Sequence, residues 1–147
     1  MHEAPTSVRG SETVLLVEDH EALRELAGSV LRESGYRLLE APDPETALRI
    51  CAEHRGPIDL LVTDVVMPGS SGLELAERIL RQRPEMAVLY MSGYSNDVAM
   101  RSGLVKTGAA FLEKPFTPSV LRRKVREVLD AATTLVHKEQ RTSAGQG

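Results

Sequence analysis

The sequence holds a single cysteine, Cys51. An internal disulfide is therefore excluded, and a reducing compartment is the simpler setting. No apolar run approaches the length needed to span a bilayer, and the N-terminus lacks the basic-then-apolar pattern of a secretory signal. The expected location is the cytoplasm. Excess charge of either sign is also missing: 18 Lys and Arg against 21 Asp and Glu leave a net −3. That balance gives no electrostatic case for direct binding to nucleic acid or to an anionic membrane. The four histidines show no spacing that suggests a transition metal, and Cys51, on the inward side of a helix pattern, reads as core.

What is present is ordinary for one globular domain: 147 residues, 41% hydrophobic and 27% charged. A domain of this size buries roughly 70% of the surface its unfolded chain exposes and needs no staples. Residues 1–11 are polar and contain Pro5 and Gly10; residues 138–147 are polar and end in SAGQG. Both read as flexible linker or tail, leaving 12–137 for the folded domain.

Within that span, strand-like and helix-like segments alternate five times. "TVLLV" (Thr13 to Val17) is a short continuous apolar run, as a strand buried on both faces requires. Leu23, Leu26, Ala27, Val30 and Leu31 recur at helical spacing, with Gly35 as a stop. "YRLLE" is a second strand. Asp43 and Pro44 open a second helix as N-cap and first-turn proline, with Ala47, Leu48 and Cys51 inward. "IDLLVT" (Ile58 to Thr63) is a third strand. Leu73, Leu75, Ala76, Ile79 and Leu80 mark a third helix, stopped before Pro84. "AVLYM" is a fourth strand. Ser95 to Thr107 has few well-spaced apolar residues, so a fourth helix there is short or mobile. "AAFL" is a fifth strand, and Thr117 and Pro118 cap a last helix with Leu121, Val125, Val128 and Leu129 inward. Such alternation implies an α/β fold, a doubly wound parallel sheet with helices on both faces. Ligands of such sheets bind beyond the carboxyl ends of the strands.

The residues at those ends are chemically coherent. Glu18 and Asp19 follow the first strand, Asp64 the third, Ser92 and Gly93 the fourth, Lys114 and Pro115 the fifth. Singly, each is an ordinary turn or surface residue; their conjunction at four of five strand ends carries the argument. On one rim, three carboxylates repel unless a cation joins them. Mg²⁺ suits the site, because it prefers oxygen ligands, keeps waters and pairs with phosphate. A carboxylate left with a free oxygen can act as a nucleophile and form an acyl phosphate. Lys114 and Ser92 can then hold phosphoryl oxygens.

The blocks "VLLVEDH", "DLLVTDVVMPGSSG", "LYMSGYS" and "FLEKPF" resemble the receiver domains of bacterial two-component response regulators over roughly Glu12 to Ala132. That resemblance implies a flavodoxin-like five-stranded sheet in the order 2-1-3-4-5. It also implies Asp64 as phosphoacceptor, and Glu18, Asp19, Asp64 and the Val66 carbonyl as Mg²⁺ ligands. Ser92 and Phe111 are then switch residues, Lys114 the phosphoryl-binding lysine, and Lys114–Pro115 a cis bond. The implied function is a phosphoacceptor signalling domain rather than an enzyme. It takes its phosphoryl group from a histidine kinase or a histidine phosphotransfer domain, and assists its own phosphorylation and dephosphorylation. The family's output face of fourth helix, fifth strand and fifth helix offers a surface for a homodimer. "MSGY", "EKPFTPSVLRRKVREVLD" and the lead-in "RGSETVLLVEDH" are most similar to the receivers at the C-terminus of hybrid sensor histidine kinases, so the chain is expected to be a fragment of one or a free-standing receiver.

Some departures and rivals stand beside this. Phe111 lacks the hydroxyl of a tyrosine. His20 stands where the family often has Asp, Glu or Asn, and reads as a solvent-facing first-turn residue. Val66 and Tyr94 flank the expected water path and imply a persistent phosphoaspartate. A flavodoxin-like cofactor binder would need a Gly- or Ser-rich phosphate loop where this chain has "EDHEA". A haloacid-dehalogenase-type phosphatase would need a second Asp at Val66. The strongest rival is a phosphorylation-independent, receiver-like interaction scaffold, which typically loses part of the acidic cluster or the lysine.

Overall fold

The computed structural model describes residues 11–67, 69–93 and 109–146. β1 (Thr13–Val17), β2 (Arg37–Ala41), β3 (Leu60–Asp64), β4 (Ala87–Ser92) and β5 (Ala110–Glu113) form one sheet in the order 2-1-3-4-5. Every pairing is parallel: Leu15 lies opposite Leu39 and Leu61, Val62 opposite Leu89, and Tyr90 opposite Phe111. The helices α1 (Glu21–Glu33), α2 (Pro44–Glu53), α3 (Gly72–Gln82) and α4 (Pro118–Gln146) flank it. A two-residue hairpin, Val66–Met67 against Ser70–Ser71, separates β3 from α3.

The sheet is central because its inner strands are apolar on both sides. All five residues of β1 are buried, and so are all five of β3. Successive side chains alternate faces. Leu15, Val17 and Leu61 therefore meet Ala47 and Cys51 of α2 and Leu75, Ala76 and Ile79 of α3. Val14, Leu16, Leu60 and Val62 meet Ala27, Val30 and Leu31 of α1 and Leu121, Val125 and Leu129 of α4. At ~1.5–3 kcal/mol for each large apolar side chain fully buried, these two layers fix which face each strand residue turns to.

Local chemistry sets the helix starts. Asp43 accepts from Thr46 N–H at 2.7 Å, Ser71 from Glu74 N–H at 3.1 Å and Thr117 from Val120 N–H at 3.2 Å. Each thereby partners one of the unpaired donors of a first turn. His20 is itself the N-cap of α1, its Nδ1 accepting from Leu23 N–H at 3.4 Å, one position before the first turn expected for it. Gly35, with φ 98°, ends α1 in a conformation that favours glycine.

Three readings differ from the sequence pattern. Leu26, placed inward by its spacing, is 48% exposed, and Leu73 is 36% exposed. Both lie at the edge of an apolar stripe whose centre already covers the sheet. α4 continues through 138–146, where a flexible tail is expected; helix-forming Lys, Glu, Gln and Arg can extend a helix without an apolar face. The expected short helix within Ser95–Thr107, and the dimer face it would help to form, lie outside the described residues. So do Tyr94 and residues 1–10. No helix among the described residues is long and apolar enough to cross a membrane.

Candidate phosphoacceptor and cation site

Because the strands are parallel, the carboxyl ends of β1, β3, β4 and β5 share one rim. Glu18 and Asp19 follow β1 directly, and Asp64 closes β3. Glu18 is 1% exposed and Asp64 5% exposed, while Asp19 faces solvent. Carboxylate oxygens of all three lie within 4.8 Å of one another. Lys114, one residue past β5, reaches across the rim: its Nζ is 2.9 Å from Glu18 Oε1 and 2.5 Å from Asp64 Oδ1. The Lys114–Pro115 bond is cis, and Lys114 N–H donates to the Ser92 carbonyl at 2.7 Å. Glu18, Asp19, Asp64 and Lys114 line an open cleft of about 580 Å³ with Leu23 and Val66.

The electrostatics are those of a site short of positive charge. Burial and the hydrogen-bonded Glu18 carboxyl push Asp64 up to about 7, against the pull of Lys114. Burial also works against ionisation of Glu18. Hydrogen bonds from Asp64, Lys114 and the His20 N–H outweigh it, and Glu18 lies below its usual range. Of the two carboxyls, Asp64 is thus the harder to ionise. Burial alone would lower the Lys114 ammonium, yet its two carboxylate partners raise it. One ammonium does not neutralise three carboxylates. An all-oxygen donor set of this kind fits a hard divalent cation such as Mg²⁺.

Of the other predicted site residues, Ser92 is 2% exposed and its Oγ donates to the Gly93 carbonyl at 3.2 Å. Val66 is 53% exposed at the cleft wall. Phe111 lies half-buried against the face covered by α2 and α3.

Two further residues shape the site without a signal in local sequence. A Cβ at Gly72 would stand 1.9 Å from the Asp64 carbonyl oxygen, and Gly72 N–H donates to the Val65 carbonyl at 2.6 Å. Only glycine lets α3 begin this close to β3. Arg24 Nη1 donates to the Glu18 carbonyl at 2.8 Å. A glycine in a turn motif and an arginine in a helix are each too common to have been singled out beforehand.

A family model described as the response regulator receiver domain matches residues 14–126. The sensor kinase CckA of Brucella abortus (strain 2308) is 37% identical over 128 residues, covering 87% of this chain and 14% of that protein. The aerobic respiration control protein ArcA of Escherichia coli (strain K12) is 32% identical over 131 residues, covering 88% of this chain and 54% of that protein. The chain therefore spans about half, or much less, of these relatives. Among solved structures, the receiver domain from the hybrid histidine kinase CckA is 36% identical with a TM-score of 0.66, over 80% of this chain and 98% of that one. A response regulator receiver domain protein from Clostridium thermocellum gives a TM-score of 0.75 at 27% identity, over 84% of this chain and 98% of that one.

Proposed function

The chain belongs to the response regulator receiver family, and on that premise we propose that it accepts a phosphoryl group from a phosphohistidine partner onto Asp64. The partner is a histidine kinase or a histidine phosphotransfer domain. The observation that carries the reading is the Lys114 ammonium resting on both Glu18 and Asp64 at the mouth of an open cleft.

Glu18, Asp19 and Asp64 would hold Mg²⁺, with the Val66 carbonyl as a further ligand. When bound, the ion offsets carboxylate charge and withdraws electron density from the phosphoryl oxygens. The remaining work belongs to side chains. Asp64 attacks phosphorus through a carboxylate oxygen; the new O–P bond forms as the P–N bond to the donor imidazole breaks. The imidazole leaves with the electron pair and takes up a proton. Lys114 pulls Asp64 toward its ionised form, against burial and Glu18, and meets a phosphoryl oxygen as charge builds there. Ser92 turns its hydroxyl from the Gly93 carbonyl to another phosphoryl oxygen, and Phe111 repacks. The output is a population shift of a few kcal/mol between two packings. A receiver-like scaffold that works without phosphorylation gains nothing from a site that keeps its acidic cluster and its lysine.

Mass spectrometry of the chain incubated with acetyl phosphate and Mg²⁺ tests this. A phosphoryl adduct is expected on the unmodified sequence and none on Asp64→Asn. No adduct on either, or an undiminished adduct on Asp64→Asn, refutes the assignment.

A further inference from the structure

Glu18 is held at each of its polar atoms. Its N–H donates to the Ala41 carbonyl at 3.1 Å. Oε1 accepts from Lys114 Nζ at 2.9 Å and Oε2 from His20 N–H at 2.9 Å. The fourth atom, the backbone carbonyl, lies past the last paired residues of β1, Val17 with Ala41 and with Thr63, where the sheet has no donor left to offer. Its partner is Arg24 Nη1 at 2.8 Å.

The fold aims Arg24 at that atom. α1 begins at Glu21, with only its N-cap His20 after the acidic pair, and side chains of a helix lean toward its N-terminus. An arginine one turn in therefore reaches back over the end of β1. A carboxylate of β2 lies near the guanidinium. Arg24 Nε lies 4.0 Å from Glu40 Oε1, and Glu40 Oε2 also takes Arg32 Nη2 at 2.5 Å. α1 packs closely on β2 at Gly28, where a Cβ would stand 3.0 Å from Leu38 Cδ2 and 3.4 Å from Glu40 Oε1. Arg24 is only 19% exposed at its side chain, so this is a seated guanidinium whose hydrogen-bonded anchor is the Glu18 carbonyl, with Glu40 a looser charge contact.

We propose that Arg24 is a positioning residue of the cation site: by fixing the Glu18 carbonyl it holds the Glu18 carboxylate toward Asp64 and Lys114. This inference rests on the Mg²⁺ reading above. Lysine can replace the donor but not the fork that meets carbonyl and carboxylate together. Partners one shell behind a metal ligand orient it, and losing one typically weakens metal binding about tenfold or more.

Mg²⁺ affinity, measured by isothermal titration calorimetry on the full chain, is the test. Arg24→Met keeps the aliphatic stem and removes the donors; about tenfold weaker binding is expected. Arg24→Lys should recover part of that loss, and Glu40→Gln, which leaves the Glu18 carbonyl bond in place, should stay within about twofold of the unmodified chain. Thermal unfolding in EDTA establishes that each variant is folded at the titration temperature. A second measurement needs no variant: the Arg24 guanidinium NMR signals should exchange slowly with water and shift on adding Mg²⁺. Unchanged affinity in Arg24→Met, an equal loss in Glu40→Gln, or guanidinium signals blind to Mg²⁺ each overturn the role given to Arg24. Absence of Mg²⁺ binding by the unmodified chain overturns the underlying cation site instead.

Discussion

At Asp64 the sign of the pH dependence follows from the geometry. Its carboxyl is held up to about 7 by burial and by Glu18, whereas an unfolded chain returns it to 3.8. Without a metal, the folded state keeps a proton that the unfolded state releases. The stability contributed by this group is complete below about 3.8 and is lost as pH rises toward 7. Asp64→Asn removes that loss. Thermal melts in EDTA should show the variant close to the unmodified chain at acidic pH and more stable at alkaline pH, by on the order of 1–2 kcal/mol. A gap that stays constant or closes with rising pH would contradict the raised Asp64 carboxyl. The same site gives a steric prediction. Gly72→Ala drives a methyl into the Asp64 carbonyl, to 1.9 Å without rearrangement. Urea unfolding should show a loss of about 2–3 kcal/mol or more, together with loss of the acetyl-phosphate adduct. The acidic residues and the lysine were legible beforehand because their chemistry stands at strand ends. Gly72 was not, because a spatial approach between backbone segments leaves no pattern in residue type.

The elements were legible where burial dictates composition. β1 and β3 could be read from apolar runs because both faces of each strand meet helices. α2 could be read from Asp43 and Pro44 because capping is local in sequence. The contact between α2 and α3 was not legible. Arg83, at the end of α3, donates to the carbonyls of Cys51 (3.0 and 3.2 Å), His54 (2.8 Å) and Gly56 (2.9 Å). One guanidinium thus meets the Cys51 carbonyl in the last turn of α2 and two carbonyls just past its end, from some thirty residues away in the chain. Arg83→Lys supplies a single ammonium in place of the fork and should cost about 1–2 kcal/mol in chemical denaturation. Ser71→Ala, which removes only the cap of α3, should cost about 1 kcal/mol. If Arg83→Lys proves neutral, the α2 carbonyls find other partners and the clamp between the two helices is not a stabilising feature.

At the scale of the whole molecule, the two ends of the fold are joined by charge. Arg126 of α4 donates to Glu12 Oε1 at 3.1 Å and Oε2 at 2.7 Å, to the Tyr36 hydroxyl at 3.3 Å and to Asp130 Oδ1 at 3.0 Å. Glu12 leads directly into β1, so the segment entering the sheet is tied to the helix leaving it. Such a two-pronged arginine pair, with side chains 14% and 26% exposed, is worth more than a solvated surface bridge but remains partly screened. The Arg126 hydrogen bond lowers the Glu12 carboxyl against the opposing effect of burial. Its stabilisation is therefore present above the ordinary value of 4.5 and is lost as pH falls through the lowered one. A double-mutant cycle on Glu12→Gln and Arg126→Ala should give a coupling of about 1 kcal/mol at neutral pH, shrinking toward zero in acid as Glu12 is protonated. Equal coupling at both pH values would mean that packing of the arginine stem, rather than the ion pair, joins β1 to α4.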